Sequence, residues 1–84
     1  MDVYVYTQNG ELYKCSNFCI ALNTEDKMFD VYTNINGSVF VLGKYSAEDK
    51  AKSAIKALRE LIFVGGNLRK ELIIYDMPID EGGE

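Results

Sequence analysis

The chain has 84 residues, nine Lys and Arg against thirteen Asp and Glu, no His, and a net charge of −4. A chain of this length makes one domain, which buries only about 60–65% of the surface its unfolded form exposes, so association of subunits is the expected supplement to the core. The acidic balance argues against direct DNA or RNA binding, where affinity comes largely from neutralising phosphates. The missing His removes Ser-His and Cys-His nucleophile pairs and the usual proton shuttle near neutral pH.

"DVYVYTQNGELYKC" places β-formers on both sides of Asn9-Gly10, a dipeptide suited to a two-residue type I′ hairpin. Pairing Gln8 with Glu11 predicts Tyr6 opposite Tyr13 and Tyr4 opposite Cys15. "NFCIALN" continues as a strand and Thr24 to Lys27 as a polar turn. Cys15 and Cys19 are four residues apart, roughly 13 Å in an extended strand and too far for a disulfide. They are expected as free thiols and small buried apolar residues, with no third ligand to build a zinc site. Glu25, Asp26 and Asp30 cluster near the turn, where a solvated hairpin explains them better than a cation site.

"MFDVYTNINGSVFVLG" is a second hairpin about Asn36-Gly37, with Ile35 paired to Ser38, Thr33 to Phe40 and Val31 to Leu42. Phe29, Val31, Phe40 and Leu42 then share the core face, and Tyr32 and Val41 the other.

"YSAEDKAKSAIKALRELIFVGGN" is the helix. Ser46 is the expected N-cap, with Asp49 completing a capping-box-like exchange. Ala47, Ala51, Ala54, Ile55, Leu58, Leu61 and Ile62 form the apolar stripe, and Gly65-Gly66 supplies a left-handed stop. "ELIIYD" reads as a last strand ended by Pro78, pairing either within its own sheet or with a neighbouring subunit; residues 79–84 read as an acidic flexible tail. The fold expected is a single α+β domain over 1–78. It consists of a mostly antiparallel sheet of about four to five strands with one amphipathic helix packed on one face.

Charge is unevenly spread: residues 1–45 carry a net of −2, residues 46–70 of +3 and residues 71–84 of −5. Within the basic island Lys52, Lys56 and Arg59 recur at i, i+4, i+7, diluted by Glu48, Asp49 and Glu60, while Lys50 borders the apolar stripe. Arg69 and Lys70 follow the helix. With Tyr45, Lys56 and Arg59 they are the candidate residues for an anionic ligand, Arg being suited to bidentate phosphate contacts. Tyr4, Tyr6, Tyr13, Tyr32 and Tyr75 are candidate interface residues; the first four are expected as one apolar patch on the sheet face away from the helix.

The succession of the "VYTQNGELY" hairpin, an "NG" hairpin leading into "VFVLGKY", and "SAEDKAKSAIKAL" resembles a class of small, mostly uncharacterised proteins of low-GC Gram-positive bacteria and their phages. The shared pattern is carried by Leu42, Gly43, Tyr45, Ser46, Glu48 and Ala51. What the resemblance implies is a phage or prophage origin, in the cytoplasm of a bacterial host. The expected function is non-enzymatic: counter-defence by an oligomer that sequesters an anionic, nucleotide-derived signal, with no cofactor, metal or membrane. The alternative is a protein-protein module that inhibits a host protein through its Tyr-rich sheet face or an edge strand.

Overall fold

Both Asn-Gly dipeptides make turns, but they make different turns. In the computed structural model, which describes residues 1–80, β4 (Met28–Ile35) and β5 (Ser38–Tyr45) join through Asn36 and Gly37 at φ 52° and 85°, the type I′ geometry expected. Ile35 pairs with Ser38 and Thr33 with Phe40, as the sequence predicts. Beyond that, a bulge shifts the register between Val31 and Tyr32, so Val31 faces Gly43 and Leu42 is the extra residue. Leu42 still points into the core, where it is 1% exposed.

In the first hairpin, β1 (Asp2–Tyr6) and β2 (Leu12–Lys14) pair Tyr6 with Leu12, Val5 with Tyr13 and Tyr4 with Lys14. This corrects the expected register by one residue. The Thr7 N–H donates to Glu11 O at 2.7 Å and the Gly10 N–H to Thr7 O at 2.9 Å, leaving a three-residue loop closed by Gly10 at φ 87°. The buried Thr7 hydroxyl decides it, accepting the Asn9 and Glu11 N–H groups at 3.2 and 3.1 Å.

The strands form two three-stranded sheets where one was expected, ordered β2-β1-β6 and β3-β4-β5. Here β3 is Cys19–Asn23 and β6 is Leu72–Asp76. The α+β class holds and most pairs are antiparallel, but β6 runs parallel to β1, with Val3 beside Ile73 and Val5 beside Tyr75. A parallel neighbour requires a long crossover, and α1 (Glu48–Asn67) provides it between β5 and β6. The last strand therefore pairs within its own chain. Gln8 joins the sheets: its N–H donates to Leu42 O, and its side chain accepts from the Lys44 N–H and donates to Pro78 O.

Helix α1 packs on β4, β5 and β6 and so spans both sheets. Ala51, Ala54 and Leu58 are its buried stripe, meeting Val5, Cys15, Val31, Leu42, Tyr45 and Met77. Fully buried apolar side chains of this size stabilise by roughly 1.5–3 kcal/mol each, so Leu58 anchors the helix. Leu61, expected on this stripe, is 38% exposed.

Both helix ends depart from expectation. The N-cap is Ala47, with no side-chain cap bond, because Ser46 comes one residue too early; its N–H donates to the Asp80 carboxylate at 2.7 Å. At the far end Gly65 and Gly66 remain helical, and the left-handed residue is Arg69 at φ 56°. The Lys70 N–H donates to Gly65 O and the Arg69 N–H to Gly66 O, a Schellman closure. Gly65 serves another purpose. A Cβ there would lie 2.5 Å from Ile73 Cδ1, so the missing side chain lets the helix approach β6.

Asp80 also accepts from Lys50 at 3.0 Å, so the expected flexible tail is tied down at its second residue; residues 81–84 lie outside those described. Among the described residues no helix is long and apolar enough to cross a membrane.

Candidate ligand-binding groove

Along α1, residues at i, i+4 and i+7 share a face, so Lys52, Lys56 and Arg59 form one row. The row borders β3. Phe18, just before that strand, and Ile20 within it provide an apolar floor with Ile55, and the six residues line an open groove of about 530 Å³. This volume falls within the range of small-molecule sites. Phe18, Ile20 and Ile55 pack on the core from outside, which fixes the floor to the body of the protein.

The cations differ in how their charge is used. Lys52 lies 3.8 Å from Glu48, with both side chains more than half exposed, a geometry that contributes little. Among the described residues, no carboxylate lies within ion-pair distance of Lys56 or Arg59. Four residues beyond Arg59 on the same face, Phe63 is 70% exposed. The groove thus combines two uncompensated cations, a third weakly paired one and an apolar floor with one aromatic ring, Phe18. Arg59 offers a planar fork of donors to a carboxylate or phosphate, and Lys56 a mobile point charge.

The remaining predicted ligand residues lie elsewhere. Tyr45 is 2% exposed, its hydroxyl donates to Pro78 O at 2.7 Å, and burial pushes its pKa up to about 12. It lines a separate cleft of about 400 Å³ with Lys50, Ser53, Ile79 and Asp80. There the charge of Lys50 is already taken by Asp80, whose own pKa is held down to about 2, chiefly by that contact. Arg69 forms the helix closure, and Lys70 lies with Leu61, Val64, Leu72 and Ile74 on the flank opposite the groove. Within one copy of the chain the five residues form three surfaces, not one site.

The tyrosines are likewise divided. The corrected register sends Tyr4 and Tyr6 to the outer face of the first sheet with Leu12, while Tyr13 turns inward and stacks on Phe40 at 4.8 Å between ring centroids. Tyr75 also faces inward, its hydroxyl donating to Ala54 O at 2.8 Å. Tyr32 occupies the outer face of the second sheet beside Cys19, whose side chain raises the Tyr32 pKa. Cys19 is exposed, against expectation, and Cys15 is buried, which raises the pKa of its thiol. Among the acids near the turn, Asp26 and Asp30 both accept from Lys44, at 2.7 and 3.0 Å; the ammonium lowers the Asp26 pKa.

Sequence reasoning missed Phe18, Ile20 and Ile55 as parts of the groove, and Phe63 as the exposed ring next to it in the helical row. Phe63 had a signal, since it extends the cationic row at helical spacing. Phe18 and Ile20 had none, because only the tertiary fold brings β3 beside the helix. The chain matches no protein-family model, no curated protein and no solved structure.

Proposed function

We propose that the protein is a non-enzymatic binding protein that captures an anionic small molecule with an apolar or aromatic part, a nucleotide being the class that combines both. The observation that carries this reading is the pair Lys56 and Arg59, uncompensated at the rim of a groove floored by Phe18, Ile20 and Ile55. A base or similar ring packs on the floor, and phosphate accepts from the rim. In the phage or prophage setting implied by the sequence resemblance, sequestration of a nucleotide-derived signal is the biological form of this activity. The alternative, inhibition of a host protein through a Tyr-rich sheet face or an edge strand, keeps the edge strand but not a single Tyr face, because Tyr4 and Tyr6, Tyr32, and the inward Tyr13 and Tyr75 lie on different faces.

Isothermal titration calorimetry with cyclic and ADP-ribose-derived nucleotides tests the reading. Each charge-assisted contact contributes about 1.5–3 kcal/mol, so a Lys56→Glu, Arg59→Glu double variant should lose at least about tenfold in affinity while keeping its melting temperature. No binding across the panel, or unchanged binding by the double variant, would overturn it.

A further inference from the structure

Strand β6 forms one edge of the first sheet. The Asp2 N–H donates to Glu71 O and the Met77 N–H to Tyr6 O, which sets the phase of the parallel ladder with β1. In that phase the odd-numbered residues of β6 bond to β1, and the backbone groups of Leu72, Ile74 and Asp76 point to the open edge. Long apolar edges of this kind are ordinarily blocked by charge, proline or a bulge, and the interior of β6 has none of these. The end of the helix above the same edge is also apolar: Leu61, Val64 and, just past the last helical residue, Leu68 are 38, 51 and 64% exposed, while Leu72 and Ile74, 49 and 52% exposed, lie on the other face of the sheet beside Tyr4 and Leu12.

We infer that this edge is completed by a second copy of the chain, with the two β6 strands antiparallel about a two-fold axis at Ile74. In that register Ile74 pairs with its equivalent and Leu72 with Asp76, so every outward backbone group finds a partner. The result is a continuous six-stranded sheet with the two helices side by side, Leu61, Val64 and Leu68 of each covering those of the other.

Charge and area both favour this occupant. The strand begins beside Arg69 and Lys70, diluted by Glu71, and ends in Asp76; an antiparallel pair sets the basic end of one copy against the acidic end of the other. Leu61, Val64 and Leu68 expose on the order of 300 Å² per copy on the helix side, and the strand edge with Leu72 and Ile74 on the other face brings the contact toward the small end of specific interfaces, about 600 Å² per partner. The β3 edge of the other sheet is a poorer candidate, since a two-fold axis there would bring together Lys52, Lys56 and Arg59 from both copies.

Sedimentation equilibrium and native mass spectrometry of the full chain at tens of micromolar should give twice the 9.5 kDa chain mass. Ile74→Lys puts two ammonium groups at the axis on a half-exposed position, so it should give a folded monomer with unchanged helical circular dichroism. Leu22→Lys, on β3, should leave the dimer intact. Lys70→Glu and Asp76→Lys should each weaken association about threefold to tenfold, because the two-fold axis counts each change twice, and the double charge swap should restore it. A monomeric wild type, a dimer that survives Ile74→Lys, or a swap without rescue would overturn the arrangement. The charge-swap arm decides the matter even where Ile74→Lys fails to fold.

Discussion

The two flanks of α1 belong to the same helix and differ in nearly everything they present. Toward β3 the helix offers Lys52, Lys56, Arg59 and Phe63, cations with little internal compensation beside an exposed ring. Toward β6 it offers Leu61, Val64 and Leu68, while Lys50, the helix's own cation on that flank, is consumed by Asp80. One flank has charge without partners and the other apolar surface without cover. These are different deficits: the first is the one our proposed anionic ligand would meet, and the second the one our inferred second copy of the chain would cover. Like-charge repulsion at the first flank also disfavours the docking of a second copy there.

The largest effect that can break this comparison comes from the seam between α1 and β6. Gly65→Leu forces a side chain into Ile73, which is only 4% exposed, and overpacking of this kind costs about 1–3 kcal/mol. Urea unfolding should show that loss, and amide chemical-shift changes should concentrate on β6 and the end of the helix. Changes of equal size at Phe18 and Ile20 would show that the flanks are coupled rather than independent. A smaller effect of opposite sign is expected next door. A Cβ at Gly66 meets only Met1 Cε at 3.6 Å, ordinary contact, so Gly66→Ala should stabilise by up to about 1 kcal/mol through helix propensity. If both substitutions destabilise, the close approach is not specific to Gly65.

Much of the fold was legible because local chemistry and long-range packing agree there. The Asn36-Gly37 turn is an example: both residues need positive φ, both tolerate it, and the strands on either side have matched faces. The Asn9-Gly10 hairpin was misread because the same dipeptide fits two loops, and the choice lay with the hydroxyl of Thr7. The division into two sheets was hidden for a different reason: no local pattern states that β1 will take β6 as a parallel neighbour. Gly65-Gly66 resembled a stop because glycine is the usual left-handed residue, yet here the space at Gly65 mattered more than its φ. In the groove, the cationic row could be read from helical spacing, and its floor could not, because β3 reaches the helix only through the fold.

The finest contrast between the flanks is electrostatic, and it is visible in Asp80, the carboxylate that Lys50 holds and Lys56 does not. Asp80 is depressed to about 2 from an ordinary 3.8, first by the Lys50 ammonium and then by the Ser46 N–H. A carboxyl whose pKa is lower in the folded state stabilises that state above its unfolded pKa, and this contribution disappears as pH falls toward the folded value. The contact between the chain end and the helix start should therefore be complete above about pH 4 and weaken from there down to about pH 2. Carboxyl-carbon NMR shifts through an acid titration would follow it. Lys50→Ala should move the Asp80 midpoint up toward 3.8, and Lys56→Ala, on the other flank, should leave it in place. An equal shift in both variants would mean that Asp80 senses the general field of the basic island, and the separation of a consumed from an available lysine would fail.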